Sequence, residues 1–164
     1  VHGTLYFGRR ARHRDVLLHD GTHMVDIINF LTGETCHIKH SFGSMSSRRS
    51  SAYLVGRAGE VPVVIDVGAE RDHLVFELEL SFEEGRIRVG NGVLRFEKSA
   101  ESPYYSNYRS LVFDLTPRIE RTGYFANMLQ DAIACFRDPQ RQPVSGASEG
   151  LEVMRYLRSF RALW

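Results

Sequence analysis

Five apolar side chains in strict alternation, Leu74, Phe76, Leu78, Leu80 and Phe82, constrain this chain more than any other feature. Glu77, Glu79 and Ser81 alternate with them. Side chains of a β-strand point to opposite faces in turn, so the run reads as a strand with one buried face and one more polar face. Glu83-Glu84-Gly85 turns the chain into Arg86–Val89, and Asn91-Gly92 leads into Val93–Phe96. Asn-Gly tolerates the positive φ angles of a type I′ turn and is a strong hairpin signal. Consecutive hairpins impose an antiparallel meander. Gly3–Phe7, Cys36–Phe42, Tyr53–Val55, Val63–Val67 and Leu111–Leu115 read as further strands, with a turn at Gly59-Glu60. Gly43–Ser51, rich in Ser and Arg, reads as a loop.

Three segments carry the helical period instead. In Val16–Glu34, Met24, Ile27, Ile28 and Leu31 recur at i, i+3, i+4 and i+7, which is one face of a helix. Asp20 stands where an N-cap belongs, and Gly33 suits the left-handed stop. Gly21, Thr22 and His23 are then the first three helical positions, with His23 beside the positive end of the helix dipole. That position favours a neutral imidazole, the form that accepts a proton. His19 lies just before the cap, close enough to line the same pocket. Later, Phe125, Met128, Leu129, Ala132, Ile133 and Phe136 trace a broad apolar stripe that Asp138-Pro139 ends. A last helix begins near Ser145–Ser148 and shows Leu151, Met154 and Leu157. Helix, meander, then helices predicts an α+β fold: an open, largely antiparallel (mixed) sheet with helices packed on one face.

Composition narrows the functional classes. A chain of 164 residues suits one domain, residues 1–164, with a real core. A net charge of +1 argues against a dedicated nucleic-acid binder. No apolar run approaches the ~20 residues of a membrane span, and no secretory signal is visible. Cys36 and Cys135 fit no C-x-x-C pattern, so two reduced, buried thiols in a cytoplasmic protein are expected. The chain opens at Val1 directly on a strand-like segment, which suggests an excised domain. Arg9, Arg10, Arg12, His13 and Arg14 form a basic loop, read as a solvated connection.

Absent motifs matter too. No G-x-G-x-x-G follows a strand, so no cofactor-binding residues are assigned. Neither G-x-S-x-G nor H-E-x-x-H occurs. Of the histidines, His37 and His40 stand three apart on a strand and would face opposite ways. His19 and His23 are four apart around Asp20. They could hold Zn²⁺ only with a third ligand, which the sequence does not identify, so acid/base chemistry is preferred and no metal is assigned. Tyr104, Tyr105, Asn107 and Tyr108 form an aromatic loop whose rings are expected to pack on the sheet.

The stretch His19, Gly21, His23, Asp26, continued by Leu31, Gly33 and Glu34, resembles the Asp-x-Gly-x-His-x-x-Asp signature of the glucose–fructose oxidoreductase / inositol dehydrogenase (Gfo/Idh/MocA) family. The run Ser148–Met154 resembles that family's closing helix. His19 departs from the usual Asp, and Asp20 comes one residue later. Glu97-Lys98-Ser99 is similar to the family's Glu-Lys-Pro, but that motif belongs to the nucleotide-binding domain, and Lys98 here ends a meander strand. The resemblance implies the substrate and oligomerisation domain of an NAD(P)-dependent oxidoreductase acting on a sugar, polyol or related hydroxyl compound. It implies NAD or NADP in the full-length protein and none bound by this chain alone. His23 is the expected acid/base, and His19 or Asp20 the group that orients the substrate hydroxyl or the imidazole. The open sheet face is the expected homo-oligomer contact. The alternative is a non-catalytic binding or assembly module using that same face.

Overall fold

The computed structural model describes residues 2–6, 17–46, 49–68, 73–117 and 123–161. The basic loop Arg9–Arg14 lies outside them. Among the described residues, eight strands form one sheet: β1 (His2–Tyr6), β2 (Cys36–Ser46), β3 (Arg49–Ala58), β4 (Val61–Gly68), β5 (Val75–Phe82), β6 (Gly85–Gly90), β7 (Val93–Glu101) and β8 (Arg109–Leu115). Their order is β2-β3-β4-β1-β5-β6-β7-β8. β1 bridges an antiparallel trio and an antiparallel meander, pairing parallel to β4 and antiparallel to β5. The helices are α1 (Thr22–Thr32), α2 (Tyr124–Arg137) and α3 (Ala147–Arg161). The fold is therefore α+β, with a largely antiparallel mixed sheet.

The core sits over the trio. Ala52 and Leu54 on β3 face Val67 and Ile65 on β4, and all four are buried. Met24, Val25 and Ile28 of α1 and Val153 and Leu157 of α3 close over them. Gly33 ends α1 at φ 69°, its N–H bonded to the Asn29 carbonyl at 2.8 Å. This is the left-handed cap that glycine adopts without strain. Asn91 and Gly92 take φ 48° and 79°, the type I′ signature of their hairpin. Leu78 of β5 is buried with the core, and Phe76 and Leu80 pack against it. Across the sheet, Glu79 and Glu97 hold Arg86, Arg88 and Arg95 in a ladder of ion pairs 2.6 to 3.4 Å long.

Four expectations are corrected. The stretch Gly43–Ser51 is mostly strand, since β2 reaches Ser46 and β3 starts at Arg49. Ladder bonds are made by the backbone, so polar side chains do not prevent them. His37 and His40 share a face: a bulge between Ile38 and His40 leaves them opposite Arg57 and Val55, two residues apart on β3. Gly56 permits this bulge, because a Cβ there would meet the His37 carbonyl. The rings of Tyr104, Tyr105 and Tyr108 stand exposed rather than packed on the sheet. The apolar stripe of α2 is exposed as well, with Phe125, Met128, Leu129 and Phe136 each more than half accessible.

Candidate active site

Leu17–Gly21 forms a single π-helical turn that runs directly into α1. Such turns are rare and recur at functional sites. Leu17, Asp20 and Gly21 are buried in it. Thr22 Oγ1 donates to the His19 carbonyl at 2.9 Å, bracing the junction.

Asp20 does not cap α1. The residue before α1 is Gly21, itself right-handed helical at φ −63° and ψ −24°, and no side chain caps the helix. Asp20 is fully buried, and its Oδ1 accepts from His19 Nδ1 at 2.8 Å. The π turn runs straight into α1, so His23 lies more than a turn inside a continuous helical stretch rather than in its first turn. The dipole argument for His23 loses its geometric basis.

His23 itself is exposed and opens on a cavity of about 1250 Å³. Asp26, Ile27 and Phe30 share that wall, at i+3, i+4 and i+7 from His23. This is the side of α1 turned away from Met24, Val25 and Ile28. Phe76 on β5 and Leu74 just before that strand line the cavity, with Glu149 and Glu152 from α3. Glu149 is anchored: its own backbone N–H, the Ser148 hydroxyl and the Gly146 N–H hold its carboxyl below the usual range. Glu152 Oε1 accepts from Thr35 Oγ1 at 3.2 Å. His19 and Asp20 are not among the lining residues. An apolar wall with a few convergent polar groups is the usual form of a small-molecule site.

Of these residues, only His23 was singled out from the sequence as a site residue. Asp26 was recognisable from its place three residues after His23. Leu74, Phe76, Glu149 and Glu152 arrive from distant segments and carried no local signal. Lys98 lies inside β7 rather than at a strand end, between Gly85 and Val112 of the neighbouring strands, and its Nζ meets Asp114 on β8 at 2.7 Å. Among the described residues no three His, Cys, Asp or Glu side chains gather as a metal site. Among them also, no helix is long and apolar enough to cross a membrane.

A dinucleotide does not fit this helix start. Its pyrophosphate needs a glycine turn and open N–H groups. Here the entrance to α1 holds a buried carboxylate, Asp20, which repels an anion.

No family model matches this chain, and no curated protein does. Solved structures do. A dehydrogenase from Chromobacterium violaceum is similar at a TM-score of 0.73 and 12% identity, covering 99% of this chain and 53% of its own. The UDP-N-acetylglucosamine 3-dehydrogenase GnnA from Acidithiobacillus ferrooxidans gives 0.68 and 13%, covering 96% and 52%. The dehydrogenase MviM from Clostridium difficile gives 0.66 and 14%, covering 99% and 54%. The chain thus spans about half the length of these structures. By name all three are dehydrogenases, and this chain has the fold of the half that it matches. At such low identity the likeness is one of fold.

Proposed function

We propose that this chain is the substrate-binding and oligomerisation domain of a cytoplasmic NAD(P)-dependent oxidoreductase acting on a sugar, polyol or related hydroxyl compound. The observation that carries the reading is His23, exposed on the wall of a large cavity beside Asp26. Phe30 and Phe76 offer apolar surface to the C–H face of a sugar-like ring, and carboxylates accept hydrogen bonds from hydroxyls. The dehydrogenases that share the fold, with about half their length beyond the match, support a second domain that holds the cofactor.

Oxidising a carbinol removes a hydride from carbon and a proton from the adjacent oxygen. The residues of this chain serve the proton. In the forward direction the substrate O–H breaks as His23 takes its proton; in reverse His23 returns it. Such general acid–base help is worth ~10²–10⁴-fold. No part of the hydride transfer is assigned to this chain.

The test is His23→Ala in the full-length enzyme. The thermal midpoint should stay nearly unchanged, because an exposed imidazole leaves no cavity behind. Turnover should fall by roughly 10²-fold or more. A destabilised variant with normal turnover per folded molecule would retire His23 as the acid/base.

A further inference from the structure

We propose that the cavity beside His23 selects a hydroxyl compound carrying a protonated amine, in class an amino sugar or amino cyclitol, over neutral and phosphorylated ones. The inference rests on the functional reading above and names the substrate class of that same cavity. Four carboxylates line it: Asp26 on α1, Glu34 just past the α1 stop, and Glu149 and Glu152 on α3. They enter from both sides, so no wall offers an anion a neutral approach. Among the described residues no lysine or arginine lines the cavity, and none forms an ion pair with any of the four. Glu149 is held in place by Ser148 and Gly146, and Glu152 uses only Oε1 on Thr35. The Asp26 carboxyl is half-buried and bonds to no described residue.

The match is one of donors and acceptors. A carboxylate only accepts, and an ammonium group carries three donors and no acceptor. Charge-assisted bonds between the two are stronger than neutral ones. A hydroxyl brings one donor, together with lone pairs that face the carboxylates unpaired. A phosphate brings acceptors and negative charge alone. The concave shape sharpens the preference, because an acidic cleft with low-dielectric walls focuses the field and concentrates cations. Phe30 and Phe76 act in the same sense, since the face of an aromatic ring attracts a cation. Asp26 follows His23 by three positions, about one helical turn, which sets a carboxylate and the proposed acid/base on one wall.

The experiment uses the full-length enzyme and matched probes: glucose, glucosamine and glucose 6-phosphate, and the neutral, amino and phosphate forms of inositol. Affinity is read by calorimetry and kcat/KM by nicotinamide absorbance. In at least one set the amino form should bind roughly tenfold or more tightly than the neutral form, with the phosphate form last. Added salt should narrow the gap by screening the charges. Glu152→Gln should cut the amino-to-neutral affinity ratio by roughly threefold, and Glu152→Lys by more, at an unchanged thermal midpoint. Neutral forms that bind as tightly as amino forms in both sets overturn the proposal. So does an amino preference unchanged in Glu152→Lys, or the absence of binding by either amino form. Turnover of the neutral forms without an amino preference sinks this proposal and leaves the functional reading standing. An amino preference that depends on Glu152, with no turnover of any probe, sinks the functional reading and leaves the charge selection standing.

Discussion

Cys36 begins β2 with no exposed surface, and burial pushes its thiol from 9.0 up to about 11. The folded state therefore keeps a proton that the unfolded chain releases. The stabilisation is fully present below about pH 9, and it is lost as pH rises through about 11. A difference of that size corresponds to about 3 kcal/mol. At pH 8 a thiol reagent should therefore modify Cys135, which is half-buried, and reach Cys36 only on unfolding. Two fast-reacting thiols in the native protein would contradict the burial of Cys36. Free thiols were expected from the sequence, but their unequal burial was not. Cys36 opens an apolar strand under α1, whereas Cys135 sits on α2, whose apolar stripe is exposed. The same contrast governs His19, Asp20 and His23. Their types and spacing were legible as a polar cluster, but spacing could not tell a cap from a buried partner, because both use one carboxylate beside one helix start.

At the scale of elements, Tyr156 joins α3 to the edge of the sheet. Its hydroxyl accepts the Ile38 N–H and donates to the Ile38 carbonyl at 3.0 Å. Among the described residues β2 is the edge strand, so no further strand there pairs with these backbone groups. Asn29 on α1 treats the same strand alike, its Oδ1 accepting the Cys36 N–H at 2.8 Å. Tyr156→Phe strips both Ile38 groups of their partner while keeping the ring. It should cost about 1–3 kcal/mol in urea unfolding. A change below about 0.5 kcal/mol would mean that water replaces the hydroxyl and the edge is open. Burial also pushes the Tyr156 phenol up, so its contribution persists through neutral pH and declines only as the folded phenol ionises. The elements themselves were largely readable: Gly33, Asn91-Gly92 and the alternation of β5 each act locally. The bulge in β2 and the π turn before α1 were not. Each adds one residue to a regular element, and only the neighbour packed against it determines where that residue goes.

For the whole molecule, the sheet face away from α1 and α3 carries the ion-pair ladder over β5, β6 and β7. On β2 and β3 it carries Phe42 opposite Tyr53, both exposed. Exposed aromatic pairs on an open sheet suit association of two copies about a two-fold axis. The proposed homo-oligomer therefore predicts a dimer in light scattering, and Phe42→Asp should shift it toward monomer without lowering the thermal midpoint. A parent chain that stays monomeric across a wide concentration range would remove the sheet face as an oligomer contact. The amino-acid sequence by itself determined the elements whose causes are local: alternation made strands, the 3.6-residue period made helices, and Gly33 and Asn91-Gly92 set their ends. It also carried the family resemblance, through His19, Gly21, His23 and Asp26. Tertiary structure alone decided that β1 enters between β4 and β5, that Asp20 is buried against His19, and that Phe76 and Glu152 meet His23 around one cavity. Those outcomes depend on contacts between segments far apart in the chain, whose free energy is realised only once the sheet has formed and its helices have closed over it.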